Sequence, residues 1–176
     1  MNIFLTGFMA SGKTTYGRAL AKAMNRTFVD LDEVIEATAG KSIAEIFSAE
    51  GEAAFRKMER MALLELKLKN GVVATGGGTA CFADNMEYMN ASGLTLYLKV
   101  PLQEIARRAV AEKNVRPLLE NRTGNDLIAL IAAKLREREA YYLQSAIILD
   151  PLHVSEKDLA KLLLARIDDQ SSTLPL

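Results

Sequence analysis

The chain of 176 residues has little of several features that define other classes of protein. It has a single cysteine, Cys81, which excludes an intrachain disulfide and fits a reducing compartment. Its 22 lysines and arginines balance its 22 aspartates and glutamates, which argues against broad binding of nucleic acid or anionic membranes. No apolar run approaches the length of a membrane span, and the apolar start is too short for a signal peptide. We therefore expect a cytoplasmic protein without nucleic-acid or membrane partners.

The length predicts a single domain with a substantial core, over residues 1–170, and a flexible polar tail over residues 171–176. Short apolar runs alternate with amphipathic segments, a pattern typical of an α/β protein whose parallel sheet is buried on both faces. Strands are predicted over residues 2–6, 27–29, 72–74, 94–98 and 146–149. Helices are predicted over residues 13–24, 84–91, 102–111, 125–144 and 156–168, with a broken pair between residues 42 and 69.

A complete phosphate-binding motif follows the first predicted strand. Residues 7–14 read Gly-Phe-Met-Ala-Ser-Gly-Lys-Thr, which satisfies the P-loop pattern G-x-x-x-x-G-K-[ST]. Gly7 and Gly12 permit the turns that point several backbone N–H groups into one hollow. Lys13 supplies a charge for the β- and γ-phosphates, and the hydroxyl of Thr14 can ligate Mg²⁺. The motif predicts a nucleoside triphosphate site. Its residues are Gly7, Ala10, Ser11, Gly12, Lys13, Thr14 and Thr15.

Two segments fit no layer of a simple α/β sandwich. The helical segment over residues 32–69 is long for one crossover, and residues 112–125 are polar and rich in turn formers. Ligands of α/β sheets bind beyond the carboxyl ends of the strands, where such segments emerge. We interpret residues 32–69 as an acceptor-binding region and residues 112–125 as a lid. Arg116 lies in this lid, where it either contacts the transferring phosphoryl group or is an ordinary surface arginine.

Two carboxylates close the second predicted strand. Asp30 and Asp32 are two positions apart, so they share a face and can line one cleft. One could serve Mg²⁺ through water while the other accepts a hydrogen bond from an acceptor hydroxyl. Either could instead cap the next helix, and the two roles can coexist.

For other candidate residues, the sequence pattern alone does not decide between a functional role and an ordinary structural one. Arg56 and Arg138 each lie in a charged helical segment, where a solvated arginine is the usual outcome. Residues 76–78 are three consecutive glycines after a buried strand, which indicates strained turns, close approach of a ligand to the backbone, or a plain loop. The only histidine, His153, fits a surface or nucleotide-contacting residue better than a catalyst.

Together these motifs resemble the shikimate kinase family, within the nucleoside-monophosphate-kinase-like P-loop fold. The resemblance runs from Asn2 through the last helix and keeps the family's order. It rests on the P-loop, Asp30 and Asp32, Phe55-Arg56 with Glu59, Gly76-Gly77-Gly78, Arg116-Pro117-Leu118-Leu119 and Arg138-Glu139-Ala140-Tyr141-Tyr142. It implies a five-stranded parallel sheet of order 2-3-1-4-5 flanked by helices in three layers. It also implies Mg²⁺-dependent phosphorylation of the 3-hydroxyl of shikimate by ATP, in aromatic amino-acid biosynthesis.

The resemblance implies a role for each candidate residue. Asp32, Arg56, Arg138 and the glycines Gly76, Gly77 and Gly78 would bind shikimate, while Thr14 and Asp30 would hold Mg²⁺. Lys13, Asp32 and Arg116 would be catalytic. Arg108 would stack on adenine, although the neighbouring Arg107 could take that place.

Two other functions are consistent with a P-loop. One is a kinase of the same fold for gluconate or a nucleoside monophosphate, and the other is a nucleotide-binding regulatory module without turnover. The set of Asp30, Asp32, the glycine run and Arg116 differs from that expected of a gluconate kinase. Intact Lys13 and Thr14 argue against a module without turnover. We expect a monomer that binds ATP and shikimate.

Overall fold

The fold is a five-stranded parallel sheet between two layers of helices. The structure is a computed structural model that describes residues 1–111 and 124–172. The strands are β1 (Asn2–Thr6), β2 (Phe28–Asp30), β3 (Val72–Ala74), β4 (Gly93–Leu98) and β5 (Ile147–Leu149). The helices are α1 (Lys13–Ala23), α2 (Leu31–Ala39), α3 (Ile43–Leu64), α4 (Asn85–Ser92), α5 (Leu102–Ala111), α6 (Gly124–Tyr142) and α7 (Glu156–Ser172), with a 3₁₀ helix at Thr79–Cys81.

The strand order is β2-β3-β1-β4-β5, and every neighbouring pair is parallel, as the family resemblance implies. The central strand β1 pairs on both sides, with Ile3 opposite Val72 of β3 and Leu94 of β4. All five strands therefore end at one edge of the sheet, and the P-loop follows β1 at the centre of that edge.

Alternating side chains of the strands belong to two separate hydrophobic clusters, one on each face of the sheet. Ile3 and Leu5 of β1 belong to the cluster that contains Leu20 of α1 and Leu159 of α7. Phe4 points to the opposite face and joins the cluster formed with α2 to α6. Burial on both faces explains why the strands read as continuous apolar runs. In the described part of the chain, no helix is long and apolar enough to cross a membrane.

The predicted element boundaries need several corrections. β2 lies one residue later than predicted, β4 begins one residue earlier and β5 one residue later. Residues 31–39 form a separate helix, α2, which ends at Gly40 with a φ of 63°. Gly40 is in the left-handed conformation that commonly ends helices.

The predicted broken helix pair is confirmed: α3 begins at the capping box of Ser42 and Glu45 and consists of two helical segments that meet at a kink. Gly51 interrupts it with a φ of 81°. It ends at Leu64 and not near residue 69, because Leu66 and Leu68 turn back to pack against the core. At the other end of the chain, α7 extends to Ser172, two residues into the segment predicted as a flexible tail.

Candidate active site

The P-loop has the strained turns that its glycines predict. Gly7 has a φ of 137° and Gly12, at the N-terminus of α1, a φ of 92°. Ala10 also has a positive φ, of 58°. A side chain on Gly7 would place its Cβ 3.0 Å from the carbonyl oxygen of Leu98. The loop can therefore close between β1 and α1 only with glycine at this position.

Lys13 folds back over this loop. Its Nζ donates to the carbonyl oxygens of Gly7 and Phe8, both at 2.8 Å, and lies 3.5 Å from Oγ of Ser11. The side chain is only 8% exposed. The ammonium group is thus held within the hollow of the P-loop, where a triphosphate would bind.

Asp30 caps α2, which is one of the roles that the sequence left open, and it also contacts the P-loop. Its Oδ1 accepts from the backbone N–H of Asp32 at 3.1 Å, which caps α2. Its Oδ2 accepts from the hydroxyl of Thr14 at 2.7 Å. A cap and a polar contact to the P-loop are therefore made by one carboxylate.

Asp30 and Asp32 line one cleft, as predicted from their spacing. The cleft has a volume of about 140 Å³ and opens between the P-loop and the ends of β2 and β3. Its lining also includes Ala10, Gly12, Lys13, Thr14, Thr15, Thr75 and Gly77. The cleft thus joins the candidate nucleotide residues to the candidate acceptor residues.

Arg56 is not a solvated helix residue. It is 8% exposed, and its Nη1 donates to Oε2 of Glu59 at 2.7 Å. Glu59 is fully buried, and its other oxygen accepts from the hydroxyl of Thr79 at 2.6 Å. Burial disfavours the charged guanidinium, but the carboxylates of Glu59 and Glu52 outweigh it and raise the pKa of Arg56. The side chain is therefore fixed and permanently charged.

The three glycines are required for space. A Cβ on Gly76 would lie 2.3 Å from Oε1 of Glu59, and one on Gly78 would lie 2.4 Å from Cζ of Arg56. At Gly77 it would lie 3.0 Å from the backbone nitrogen of Met9 in the P-loop. Gly78 itself has an ordinary φ of −106°. The run thus allows groups of the protein itself to approach the backbone closely, an explanation that the sequence analysis did not include, while close approach of a ligand stays a prediction.

Two side chains of α6 also contact this glycine turn. The Tyr142 hydroxyl donates to the carbonyl oxygen of Gly77, and Nη1 of Arg138 lies 3.5 Å from the same atom. The Arg138 guanidinium also lies over the ring of Phe8, 5.7 Å from its centroid. Arg138 is therefore also tied to the site.

Of the two neighbouring arginines on α5, Arg108 lies at the P-loop. Its Nη1 donates to the carbonyl oxygen of Ala10 at 3.4 Å, and its Nε to Glu104 at 2.6 Å. Arg107 is 70% exposed and also binds Glu104. Hydrogen bonds from Arg107 and Arg108 lower the pKa of Glu104 to about 2. Glu104 thereby orients Arg108, whereas Arg107 points to solvent.

Two predicted features remain to be accounted for. Arg116, with residues 112–123 of the predicted lid, lies outside the described residues. His153 is on the surface, 78% exposed, and pairs with Asp150 at 2.8 Å.

Sequence reasoning assigned no role to Glu59 or Tyr142, which hold Arg56 and Gly77 in place. Helical spacing could have found both. Glu59 follows Arg56 by three residues, Tyr142 follows Arg138 by four, and such pairs share a helix face.

Comparisons with known proteins identify the family and the fold. The family model described as shikimate kinase matches residues 9–168. The chain belongs to the shikimate kinase family. A shikimate kinase of Parabacteroides distasonis is 46% identical to this family member over 149 residues, which cover 84% of this chain and 86% of that protein.

Solved shikimate kinases share the whole architecture. The enzyme of Bacteroides thetaiotaomicron superposes with a TM-score of 0.85 at 37% identity, covering 98% of both chains. The enzyme of Acinetobacter baumannii, solved in complex with shikimate, superposes with a TM-score of 0.85 at 36% identity and covers 99% of this chain and 95% of that one. The family resemblance and the P-loop kinase fold predicted from the sequence are confirmed.

Proposed function

We propose that this member of the shikimate kinase family transfers the γ-phosphoryl group of ATP to the 3-hydroxyl of shikimate. The products are shikimate 3-phosphate and ADP, in the synthesis of aromatic amino acids. One observation carries the proposal most directly. Arg56 lies against Gly78 and Arg138 contacts Gly77, and Gly77 lines the same cleft as Asp32 and the P-loop.

The acceptor residues match the chemistry of shikimate, which carries a carboxylate and three hydroxyls. Guanidinium groups bind a carboxylate through two parallel hydrogen bonds, so Arg56 and Arg138 would hold this end of the substrate. Asp32 would accept a hydrogen bond from the 3-hydroxyl, and Gly77 would offer its backbone at close range. The acceptor-binding region is then residues 32–69 together with the glycine turn and α6.

The transfer step requires the protein to accept one proton and to stabilise the charge on the transferring phosphoryl group. The 3-hydroxyl oxygen forms a bond to the γ-phosphorus, the bond from that phosphorus to the β,γ-bridging oxygen breaks, and Asp32 would take the hydroxyl proton. Lys13 would stabilise the charge that develops on the transferring group. Arg116 would add a second charge when the lid closes, and Arg108 would contact adenine.

The residues present also fit Mg²⁺. Thr14 and Asp30 offer two oxygen atoms 2.7 Å apart beside the P-loop. Mg²⁺ in kinases is bound through one or two protein oxygens plus phosphates and water. When bound, the ion would neutralise phosphate charge, and Thr14 and Asp30 would hold it.

The decisive experiment measures ADP release in a coupled assay with purified protein, ATP and Mg²⁺. Shikimate, quinate, gluconate and nucleoside monophosphates are offered as acceptors. We expect turnover with shikimate to exceed turnover with each of the other acceptors. Asp32→Asn protein, assayed in parallel, controls for contaminating activity. Faster turnover with gluconate would favour the alternative of another polyol-acid kinase and refute this proposal. Action as a monomer in the cytoplasm, without nucleic-acid or membrane partners, stays a prediction from the sequence.

A further inference from the structure

Tyr142 presents a buried phenol to the proposed acceptor site. It is the last residue of α6 and is fully buried, with its ring packed against Tyr97 at a centroid distance of 5.2 Å. Its hydroxyl donates to the carbonyl oxygen of Gly77, and the Cys81 thiol and the Arg138 guanidinium lie beside it. Burial raises the pKa of Tyr142 above its usual range, so the hydroxyl keeps its proton and stays a donor.

The carbonyl of Gly77 therefore receives two donors from one helix. Arg138 precedes Tyr142 by four residues, so both side chains emerge from the same face of α6. The two donors differ in rigidity. The phenol ring has two torsions and is enclosed, whereas the guanidinium of Arg138 is half-buried on a long side chain and lies 3.5 Å from the oxygen. The Tyr142 hydroxyl, as the more rigid donor, sets the position of the Gly77 carbonyl oxygen. The position of that oxygen in turn determines where the Arg138 guanidinium binds.

Fixing this carbonyl also fixes the peptide that follows it. The peptide between Gly77 and Gly78 is trans, so its N–H points opposite to the carbonyl, away from α6. Glycine peptides rotate more freely than others, and a run of three has no side chain to restrain it. We propose that Tyr142 is a positioning residue for the acceptor, whose hydroxyl orients the Gly77–Gly78 peptide and the Arg138 guanidinium. This inference rests on the proposed function, since it names what holds two of the proposed shikimate-binding groups in place.

The test is Tyr142→Phe, which removes the hydroxyl and keeps the ring. Calorimetric titration should show a shikimate Kd raised roughly three- to tenfold, the usual effect of losing one neutral hydrogen bond. The Kd for ATP should stay within twofold. Tyr97→Phe is the matched control, because it removes a hydroxyl from the adjoining buried ring and should change neither Kd. Melting temperatures of both variants report any general loss of packing.

A double-mutant cycle with Arg138→Lys separates positioning from general structure. If the Tyr142 hydroxyl acts partly through Arg138, the loss of shikimate affinity in the double variant will be smaller than the product of the two single losses. A fully multiplicative loss would overturn the coupling to Arg138. A wild-type shikimate Kd in Tyr142→Phe, or equal losses for ATP and shikimate, would overturn the positioning role. In both cases the wild-type protein still binds shikimate, whereas a wild-type protein that does not bind it would overturn the proposed function as well.

Discussion

Adding one methyl group at Gly78 should weaken shikimate binding by displacing the guanidinium of Arg56, which is proposed to bind the substrate carboxylate. The new Cβ of Gly78→Ala would lie 2.4 Å from Cζ of Arg56 and 2.5 and 2.6 Å from its two terminal nitrogens. Ordinary contacts begin at 3.4 Å, so the guanidinium would have to move by about 1 Å. Gly78 has a φ of −106°, which alanine adopts easily, so backbone strain does not contribute.

The size of the effect follows from what restrains Arg56. A free arginine would swing aside at little cost, but this one is bound to Glu59 at 2.7 Å and to Glu52 at 3.2 Å. A shift of about 1 Å stretches the 2.7 Å bond past the limit of a hydrogen bond and misdirects the guanidinium fork. Hydrogen bonds to charged groups are worth about 1.5–3 kcal/mol, so the shikimate Kd should rise by roughly 10- to 150-fold.

Titration calorimetry with shikimate measures this change directly, and titration with ATP should show little difference. Gly40→Ala is the control, since a side chain there meets no atom within 4 Å and only the left-handed φ of 63° is disfavoured. It should cost about 1 kcal/mol of folding stability and leave the shikimate Kd unchanged. An unchanged shikimate Kd in Gly78→Ala would refute the view that a fixed Arg56 holds the substrate.

Four further substitutions probe the rest of the site. Lys13→Ala should lower turnover by roughly 10²–10³ in the coupled assay with an unaltered circular dichroism spectrum, because its charge acts on the transferring group. Asp32→Asn keeps the shape but not the charge; it should still bind shikimate in a titration while losing about 10²–10⁴ in kcat. Glu59→Gln should lower the free energy of unfolding by about 1.5–3 kcal/mol in urea, since it removes the charge that pairs with buried Arg56. Glu52→Gln should cost under about 1 kcal/mol, because that side chain is 49% exposed.

The parts of this protein that could be predicted from sequence are those set by local rules. The P-loop needs glycine where φ is positive, and Gly7 and Gly12 have φ values of 137° and 92°. Apolar runs such as residues 3–5 predict strands buried on both faces, and the two hydrophobic clusters confirm it. The strand order came from the family resemblance, because periodicity carries no information on which strands are neighbours.

Boundaries were predicted less well where tertiary packing overrides propensity. The segment at residues 65–70 has helical composition, yet α3 ends at Leu64, because Leu68 makes contacts outside the helix. Its carbonyl accepts from the side chain of Asn2, and its side chain packs against the core. A contact between residues so far apart in the chain leaves no local signal.

The same reasoning explains why Arg56 stayed ambiguous. Its local sequence is that of an exposed charged helix, and its i,i+3 partner Glu59 would fit a surface ion pair equally well. What buries the pair is the glycine turn, which comes twenty residues later and leaves room for the guanidinium against Gly78. The informative signal in the sequence was therefore the glycine run and the Arg56–Glu59 pair taken together. Three glycines after a buried strand leave space that a bulky neighbouring side chain must fill. A helical arginine can fill it when a carboxylate pairs with it, because the buried charge is then compensated.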